Sequence, residues 1–310
     1  MSRPTRIRGL VWSVAVMVVG SGLVFGPPGG AAAEEAAYVG WAEVLPGLAQ
    51  GYEPTSADLC RSGSSKCVDA VIREMERRFR PLEDACDHDA VFSLTYLRTT
   101  ERYREATSDG TFFTDTAFLN HQDAVFADYY FRVYDAWHRG DRSQVPPAWA
   151  VAFSAADDRS VSGLGNILLG MGGHVNHDLP LVLAEIGLVK PDGSSRKEDH
   201  DRVDRFLQQL VGPLVAEVAE RFDPTADDAS LTGTTLDETA AFQMLAEWRE
   251  EAWRKAELLV AAPTPSARAL VEATIAEDAA VKSRMIVEAT RYRPFLTSSA
   301  SRDAYCASRG

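Results

Sequence analysis

Apolar residues recur at steps of three and four along most of the chain, and the alternating pattern of strands is almost missing. Val71, Ile72, Met75 and Phe79 show this spacing, which is typical of one face of an α-helix. The same periodicity predicts helices at about 67–82, 92–103, 116–137, 147–153, 161–186, 203–218, 235–259 and 265–290. Because the connections are short, we expect one all-α domain over residues 34–310, a helical bundle of about seven to nine helices.

The composition narrows the function classes without naming a reaction. Hydrophobic residues make up 45 % of the 310 residues, which is too many for a disordered chain. The formal net charge of −13 argues against nucleic acid as a partner, since phosphate binding needs a basic surface. The chain also lacks the motifs of serine hydrolases, P-loop and dinucleotide-binding proteins, zinc proteases and di-iron bundles.

The first 33 residues have the pattern of a secretory signal peptide. Three arginines precede an apolar run over residues 10–25, and three alanines end the segment at Ala33. We therefore expect cleavage near Ala33 and a secreted, extracellular protein. The apolar run is shorter than the roughly 20 residues that a transmembrane helix needs. No other stretch is apolar enough, so no stable membrane span is expected after the signal is removed.

All four cysteines lie after the predicted signal peptide. An even number of cysteines in an exported chain indicates disulfides, here two, for which three pairings exist. We favour Cys60–Cys67, which closes a short loop, together with Cys86–Cys306. The second bond would hold down a C-terminal tail over residues 291–310.

The segment 170–181 reads Gly-Met-Gly-Gly-His-Val-Asn-His-Asp-Leu-Pro-Leu and interrupts the apolar helix predicted over 161–186. His174 and Asp178 lie four residues apart on the apolar face, so their side chains point the same way, and His177 lies on the adjacent edge. Such buried polar groups are costly unless they are hydrogen-bonded or bind a ligand. The three glycines indicate that another helix or a ligand approaches the backbone closely.

Two interpretations of this segment stay open. In the first, His174 and Asp178 belong to a buried polar network in a protein that is non-catalytic or binds a small, apolar molecule. In the second, His174, His177 and Asp178, joined by His121 and Asp128 from the long helix before them, hold a divalent metal such as zinc. The metal would then supply a hydroxide for a phosphoester-type hydrolysis, with His174 and Asp178 as catalytic residues. No other cofactor is expected, and whether the protein is an enzyme stays open.

Two further expectations concern the neighbourhood of this segment. Pro180 lacks a backbone donor, so we expect it to kink the helix beside Asp178 and to free a carbonyl. His200 and Asp204 repeat the four-residue spacing, but they lie in a charged segment, which predicts a position on the surface.

The segment from His174 to Leu181, with Leu-Gly-Met-Gly-Gly before it, resembles the signature of an uncharacterised bacterial family, the domain of unknown function numbered 5995. Four shorter segments follow the order of that family: Phe92-Ser-Leu-Thr-Tyr-Leu, Asp123-Ala-Val-Phe-Ala-Asp-Tyr-Tyr-Phe, Val145-Pro-Pro-Ala-Trp, and the tryptophan-containing helix around 248–256. The resemblance covers about residues 67–259. It implies a helical fold and brings no established activity, so it assigns no catalytic residue.

A more limited similarity is to the zinc-dependent phospholipase C and single-strand nuclease group, which is secreted and all-helical. Trp41 and the pair His174-x-x-x-Asp178 are similar to elements of that group. The chain lacks the His-x-x-x-Glu pair of the group and contains only six histidines. This similarity is the source of the phosphoester alternative.

Overall fold

The amphipathic segments fold as helices in the computed structural model, which describes residues 52–226, 235–292 and 298–309. The first five helices are α1 (Ser65–Asp84), α2 (Asp89–Ala106), α3 (Thr116–His138), α4 (Pro147–Asp157) and α5 (Gly163–Gly173). The remaining five are α6 (Leu179–Ile186), α7 (Lys197–Arg221), α8 (Thr235–Ala261), α9 (Pro265–Thr290) and α10 (Ser299–Ala307). A short 3₁₀ turn at Arg142–Gln144 precedes α4.

A π-helical turn at His174–Asp178 joins α5 to α6 without a break. The described ranges therefore contain nine uninterrupted helical stretches besides the 3₁₀ turn, and no β-strand. The predicted all-α fold and its number of helices are confirmed. None of the helices in these ranges is long and apolar enough to cross a membrane. The predicted signal peptide lies outside the described residues.

Two hydrophobic clusters form the interior of the bundle. The first is built mainly by α1 to α5, with Leu94, Trp149 and Leu169 at its centre. The second is built by α6 to α9, with large buried side chains that include Leu179, Trp253 and Leu259. Phe126 of α3 and Met171 of α5 pack against both clusters. The junction between the clusters is where the candidate site lies.

Polar contacts fix the start of α3 against the start of α7. The side chain of Asp115 caps α3 by accepting a hydrogen bond from the backbone N–H of Phe118 at 3.1 Å. The guanidinium of Arg196, just before α7, donates to the same carboxylate at 2.7 Å. Asp199 in the first turn of α7 accepts from the backbone N–H of Asp115 at 2.8 Å. These bonds hold together two helices that line the site.

The structure confirms both predicted disulfides. Cys60 and Cys67 are bonded with their Cα atoms 5.0 Å apart, and Cys86 and Cys306 are bonded with their Cα atoms 6.0 Å apart. The residues of the described ranges contain no free cysteine. The two bonds close loops of very different length, with sequence separations of 7 and 220 residues.

The C-terminal segment contains more structure than the predicted tail. Cys306 lies in α10, and the buried Arg302 of this helix donates to the side chain of Asn166 in α5 at 2.7 Å. The helix is only nine residues long and buries only Arg302 and Cys306. Its docking depends on the disulfide and on this buried arginine.

Candidate functional site

Asp178 is the centre of a buried hydrogen-bond network. Its Oδ2 lies 3.0 Å from Nδ1 of His174 and 2.9 Å from Nε1 of Trp149. Its Oδ1 lies 2.7 Å from Nδ1 of His177. All four residues are buried. The contact between His174 and Asp178 that their spacing predicts is therefore present, and His177 joins it.

The protonation states of this network follow from its geometry. Burial raises the pKa of Asp178, but the hydrogen bonds from His174 and His177 outweigh that effect and bring it below the ordinary value. Burial lowers the pKa of His174 more than its bond to Asp178 raises it. The carboxylate is thus ionised beside a neutral imidazole. Because an ionised carboxylate only accepts hydrogen bonds, Nδ1 of His174 carries the proton, and Nε2 presents a lone pair.

The glycines before His174 let aromatic side chains approach the backbone of α5. A Cβ atom at Gly170 would lie 2.1 Å from the ring of Phe92, and one at Gly173 would lie 2.8 Å from the ring of Trp149. Real Cβ atoms do not come this close to other atoms, so neither position has room for a larger residue. The predicted close approach is confirmed, and it is made by ring side chains.

Beside Asp178 the helix continues through a π-helical turn. The backbone N–H of Leu179 bonds to the carbonyl of His174, five residues earlier. Pro180 lies in the first turn of α6, where the missing donor is tolerated. Such turns are frequent at functional sites. Here the turn carries His174, His177 and Asp178 together.

A cavity of about 150 Å³ lies beside His174, between α2, α3, α5, the π-helical turn, α7 and α8. Its wall is mostly apolar and includes Phe92, Tyr103, Phe126, Met171, Phe206 and Leu210. The ring of Phe126 stacks on the imidazole of His174, with centroids 3.4 Å apart and an angle of 6° between the planes. This stacking fixes the imidazole plane against the cavity wall.

Three polar atoms in the cavity wall have no hydrogen-bond partner among the described residues. They are Oη of Tyr96, Oδ2 of Asp123 and Nε2 of His174. The rings of Tyr96 and His174 have centroids 4.5 Å apart. The charge of Asp123 contributes, after burial, to a pKa of Tyr96 well above its ordinary value. Tyr96 thus lies beside His174 and within electrostatic reach of Asp123, in a wall that is otherwise mostly apolar.

Asp123 and Tyr96 are site residues that sequence reasoning missed. Burial alone raises the pKa of Asp123 to about 7, because no charged group compensates its carboxylate. Its spacing from Leu119 and Phe126 already places it on the apolar face of α3. That signal is the same one that singled out Asp178. The hydroxyl of Tyr96 has no comparable signal, because a tyrosine on an apolar face is ordinary.

The network also reaches a second, more open space. His177 lines a groove together with Tyr129, Glu185, Arg268 and Glu272. The carboxylate of Asp178 thus joins one imidazole in the cavity wall to another at the groove.

The structure does not bring His121 and Asp128 to this network. His121 bonds through Nδ1 to the carbonyl of Cys60 at 3.0 Å. Asp128 is exposed and pairs with Arg132 at 2.9 Å on the outer face of α3. Within the described residues, no group of three or more histidine, cysteine, aspartate or glutamate side chains could hold a metal ion. The predicted five-residue ligand set is therefore not assembled, and the metal-dependent alternative stays a prediction.

The prediction that His200 lies on the surface is wrong. This side chain is buried, and its Nε2 lies 3.1 Å from the carbonyl of Arg249, which is the acceptor. Its neighbour Asp201 is exposed, while α8 covers the imidazole with Trp253. Asp204 on the same helix accepts from Nε of Arg249 at 2.5 Å. Arg249 itself belongs to the cavity wall.

No curated protein and no solved structure matches the chain. A family model does match, over residues 68–289, and it describes a family of unknown function, DUF5995. The match contains the whole cavity wall and extends beyond residue 259 to include almost all of α9. Since it spans more than half of the chain, the protein belongs to this family of unknown function.

Proposed function

We propose that the protein binds a small, largely apolar molecule inside the helical bundle, and that a polar group of this molecule contacts Tyr96, Asp123 and His174. The observation that carries this proposal is the combination of an apolar cavity with three unpartnered polar atoms on the side chains of its wall. Binding sites for small molecules have this character: a mostly apolar wall and a few polar groups that orient the ligand.

The size of the cavity limits the ligand. A cavity of about 150 Å³ lined by apolar side chains can hold a molecule the size of benzene. Water needs two to four polar partners, so it can bind only beside Tyr96, Asp123 and His174, and the apolar remainder of the wall offers it none. A single aromatic ring with one polar substituent fits both the volume and the distribution of polar atoms.

The energetics favour a ligand with a polar group. Each buried polar atom without a partner costs about 1–3 kcal/mol. Natural proteins keep few such atoms, and three of them belong to side chains that line this cavity. A ligand that supplies the missing hydrogen bonds would recover part of this cost, in addition to the burial of its ring.

Ligand-detected NMR with benzene and phenol tests the proposal. We expect both to bind the full chain and to raise its Tm in excess ligand. Leu210→Phe, which fills the cavity wall from α7, should abolish binding while the fold persists. Gln209→Phe, which adds the same ring on the exposed face of α7, is the matched control and should bind like the wild type. Binding of neither compound, or equal binding by the Leu210 variant, contradicts the proposal.

We also propose that the chain is exported and cleaved near Ala33. The support is the pair of disulfides, which form and persist in oxidising compartments. Sequencing the N-terminus of protein recovered from the medium of a secreting bacterial host tests it. The expected first residue is Glu34, whereas retention in the cell with an intact N-terminus would contradict export.

A further inference from the structure

We infer that the ligand of this cavity is a small organic cation, an aromatic or alkyl ammonium whose charged group pairs with Asp123. This inference rests on the proposed function, because it names the chemical class of the molecule that the same cavity binds. It follows from which polar atoms of the wall donate and which accept.

Two of the three unpartnered polar atoms in the wall are acceptors. The ionised carboxylate of Asp123 can only accept hydrogen bonds. Nε2 of His174 accepts as well, because Asp178 holds the proton of this imidazole on Nδ1 at 3.0 Å. The hydroxyl of Tyr96 can accept or donate. A primary ammonium carries three donors and no acceptor, so its hydrogen-bonding groups match acceptors of this kind.

The wall contains no cation that could serve Asp123 instead. Arg249 is the only lysine or arginine among the described residues of the cavity wall. Its guanidinium donates to Asp204 at 2.5 Å and to the carbonyl of His200 at 2.6 Å. Burial is the sole cause of the raised pKa of Asp123, so Arg249 does not compensate its charge. The carboxylate lacks a counter-ion that a bound ammonium would supply.

The aromatic side chains of the wall suit a cation as well. Phe92, Tyr96, Tyr103, Phe126 and Phe206 all line the cavity. The faces of such rings attract a cation electrostatically, most strongly where water is excluded. An apolar cavity without a carboxylate would select its ligand by shape alone. This cavity combines aromatic rings with the uncompensated charge of Asp123, so it can also select a ligand by charge.

Binding of a cation at this site should depend on pH. The other titratable groups of the cavity wall are Tyr96 and Tyr103 from α2 and His174 from the π-helical turn, while α8 contributes the guanidinium of Arg249. The pKa values of both tyrosines are raised by burial, and that of His174 is lowered by burial, so all three are neutral near pH 7. Asp123, with its pKa of about 7, is the group that changes charge between pH 6 and pH 8.

Calorimetric titration of the full chain with benzylamine and ethylbenzene tests the inference. The two molecules have the same shape, and they differ in an ammonium against a methyl group. At pH 8 we expect benzylamine to bind at least tenfold more tightly, and its affinity to rise about tenfold from pH 6 to pH 8 as Asp123 ionises. Asp123→Asn should remove this preference and leave ethylbenzene binding unchanged. Asp128→Asn removes the same charge from the exposed face of α3, and we expect it to retain the preference.

The outcomes separate the two proposals. If ethylbenzene binds at least as well as benzylamine, the inference of a cationic ligand is wrong while the proposed apolar binding site is retained. The same conclusion follows if Asp123→Asn binds both molecules like the wild type. If neither molecule binds the wild type, the proposed function fails and this inference fails with it. Should the Asp123 variant not fold, the pH dependence of the wild type decides: a benzylamine affinity that is flat from pH 6 to pH 8 overturns the inference.

Discussion

Asp178 sets the tautomer of His174: the two side chains are joined at 3.0 Å through Nδ1, which leaves Nε2 without a partner in the wall of an apolar cavity. The imidazole is also held in place by the ring of Phe126, which is stacked on it. A histidine fixed in this way presents an acceptor of constant position to whatever occupies the cavity. The properties of the site therefore depend on a carboxylate that does not itself line the cavity.

Replacing this carboxylate should be costly. In Asp178→Asn, the amide cannot accept hydrogen bonds from His174, His177 and Trp149 together, so at least one buried donor loses its partner. We expect a loss of about 2–4 kcal/mol in the free energy of unfolding at pH 7, measured by urea denaturation. Asp128→Asn, on the exposed face of α3, should change it by less than about 0.5 kcal/mol. Equal stability of the two variants would contradict this account.

The pH dependence of stability in the wild type and in Asp178→Asn gives a second test of the role of Asp178. Its folded-state pKa lies below the ordinary value of 3.8, so its stabilising contribution is present above that value and is lost as pH falls through the folded-state pKa. The difference in stability between the wild type and Asp178→Asn should therefore be constant from pH 5 upwards and shrink in stronger acid.

The contribution of Asp123 to stability should depend on pH in the opposite direction to that of Asp178. Burial raises its pKa from 3.8 to about 7, so the folded protein holds a proton that the unfolded chain has already lost, and stability falls as pH rises from about 4 to about 7. In the absence of ligand, the stability of Asp123→Asn relative to the wild type should increase by roughly 2–4 kcal/mol between pH 4 and pH 8. Urea denaturation at several pH values measures this. Parallel pH profiles would show that the carboxylate is not desolvated.

Two glycines of α5 form a matched pair. A Cβ at Gly170 would lie 2.1 Å from the ring of Phe92, whereas one at Gly172 would lie 3.5 Å from Ile286, an ordinary contact. Gly170→Ala should lower the midpoint of thermal unfolding and cost about 1–3 kcal/mol or more, because the ring must move. Gly172→Ala should be neutral or stabilise by up to about 1 kcal/mol, because alanine favours the helix. Similar Tm values for both variants would refute the close approach.

The two disulfides should differ in their effect on stability. In the chain-entropy model, the bond that spans 220 residues between Cys86 and Cys306 contributes about 5 kcal/mol. The bond that spans 7 residues between Cys60 and Cys67 contributes about 2.5 kcal/mol. Replacing each pair by serines and comparing the urea midpoints checks this order. A larger loss from the short loop would contradict it.

Metal analysis of protein purified without a His tag distinguishes the two interpretations of the segment around His174. The binding proposal predicts no stoichiometric zinc or manganese, and a His174→Ala variant that merely unfolds at lower temperature. Stoichiometric metal that His174→Ala loses would instead establish the metal-dependent alternative. It would require ligands beyond those that the described residues bring together.

Local sequence patterns predicted much of the candidate site. The four-residue spacing of His174 and Asp178 on an apolar face was enough to predict their contact, because side chains one helical turn apart meet whatever surrounds the helix. The glycines before them indicated a close approach for an equally local reason. His200 shows the limit of such reasoning: its charged neighbours indicated a surface, but α8 covers the imidazole.

The sequence by itself determined the helical class, the apolar faces, the pair of His174 and Asp178 on one of them and, through four cysteines, the favoured disulfides. These properties depend on periodicity and composition, which act over one or two helical turns. Only the tertiary structure decided that Tyr96 and Asp123 face the same cavity as His174, and that His121 and Asp128 do not. The physical reason is that helix packing sets which side chains from separate helices meet. Local sequence patterns do not reveal such contacts between residues that are far apart in the chain.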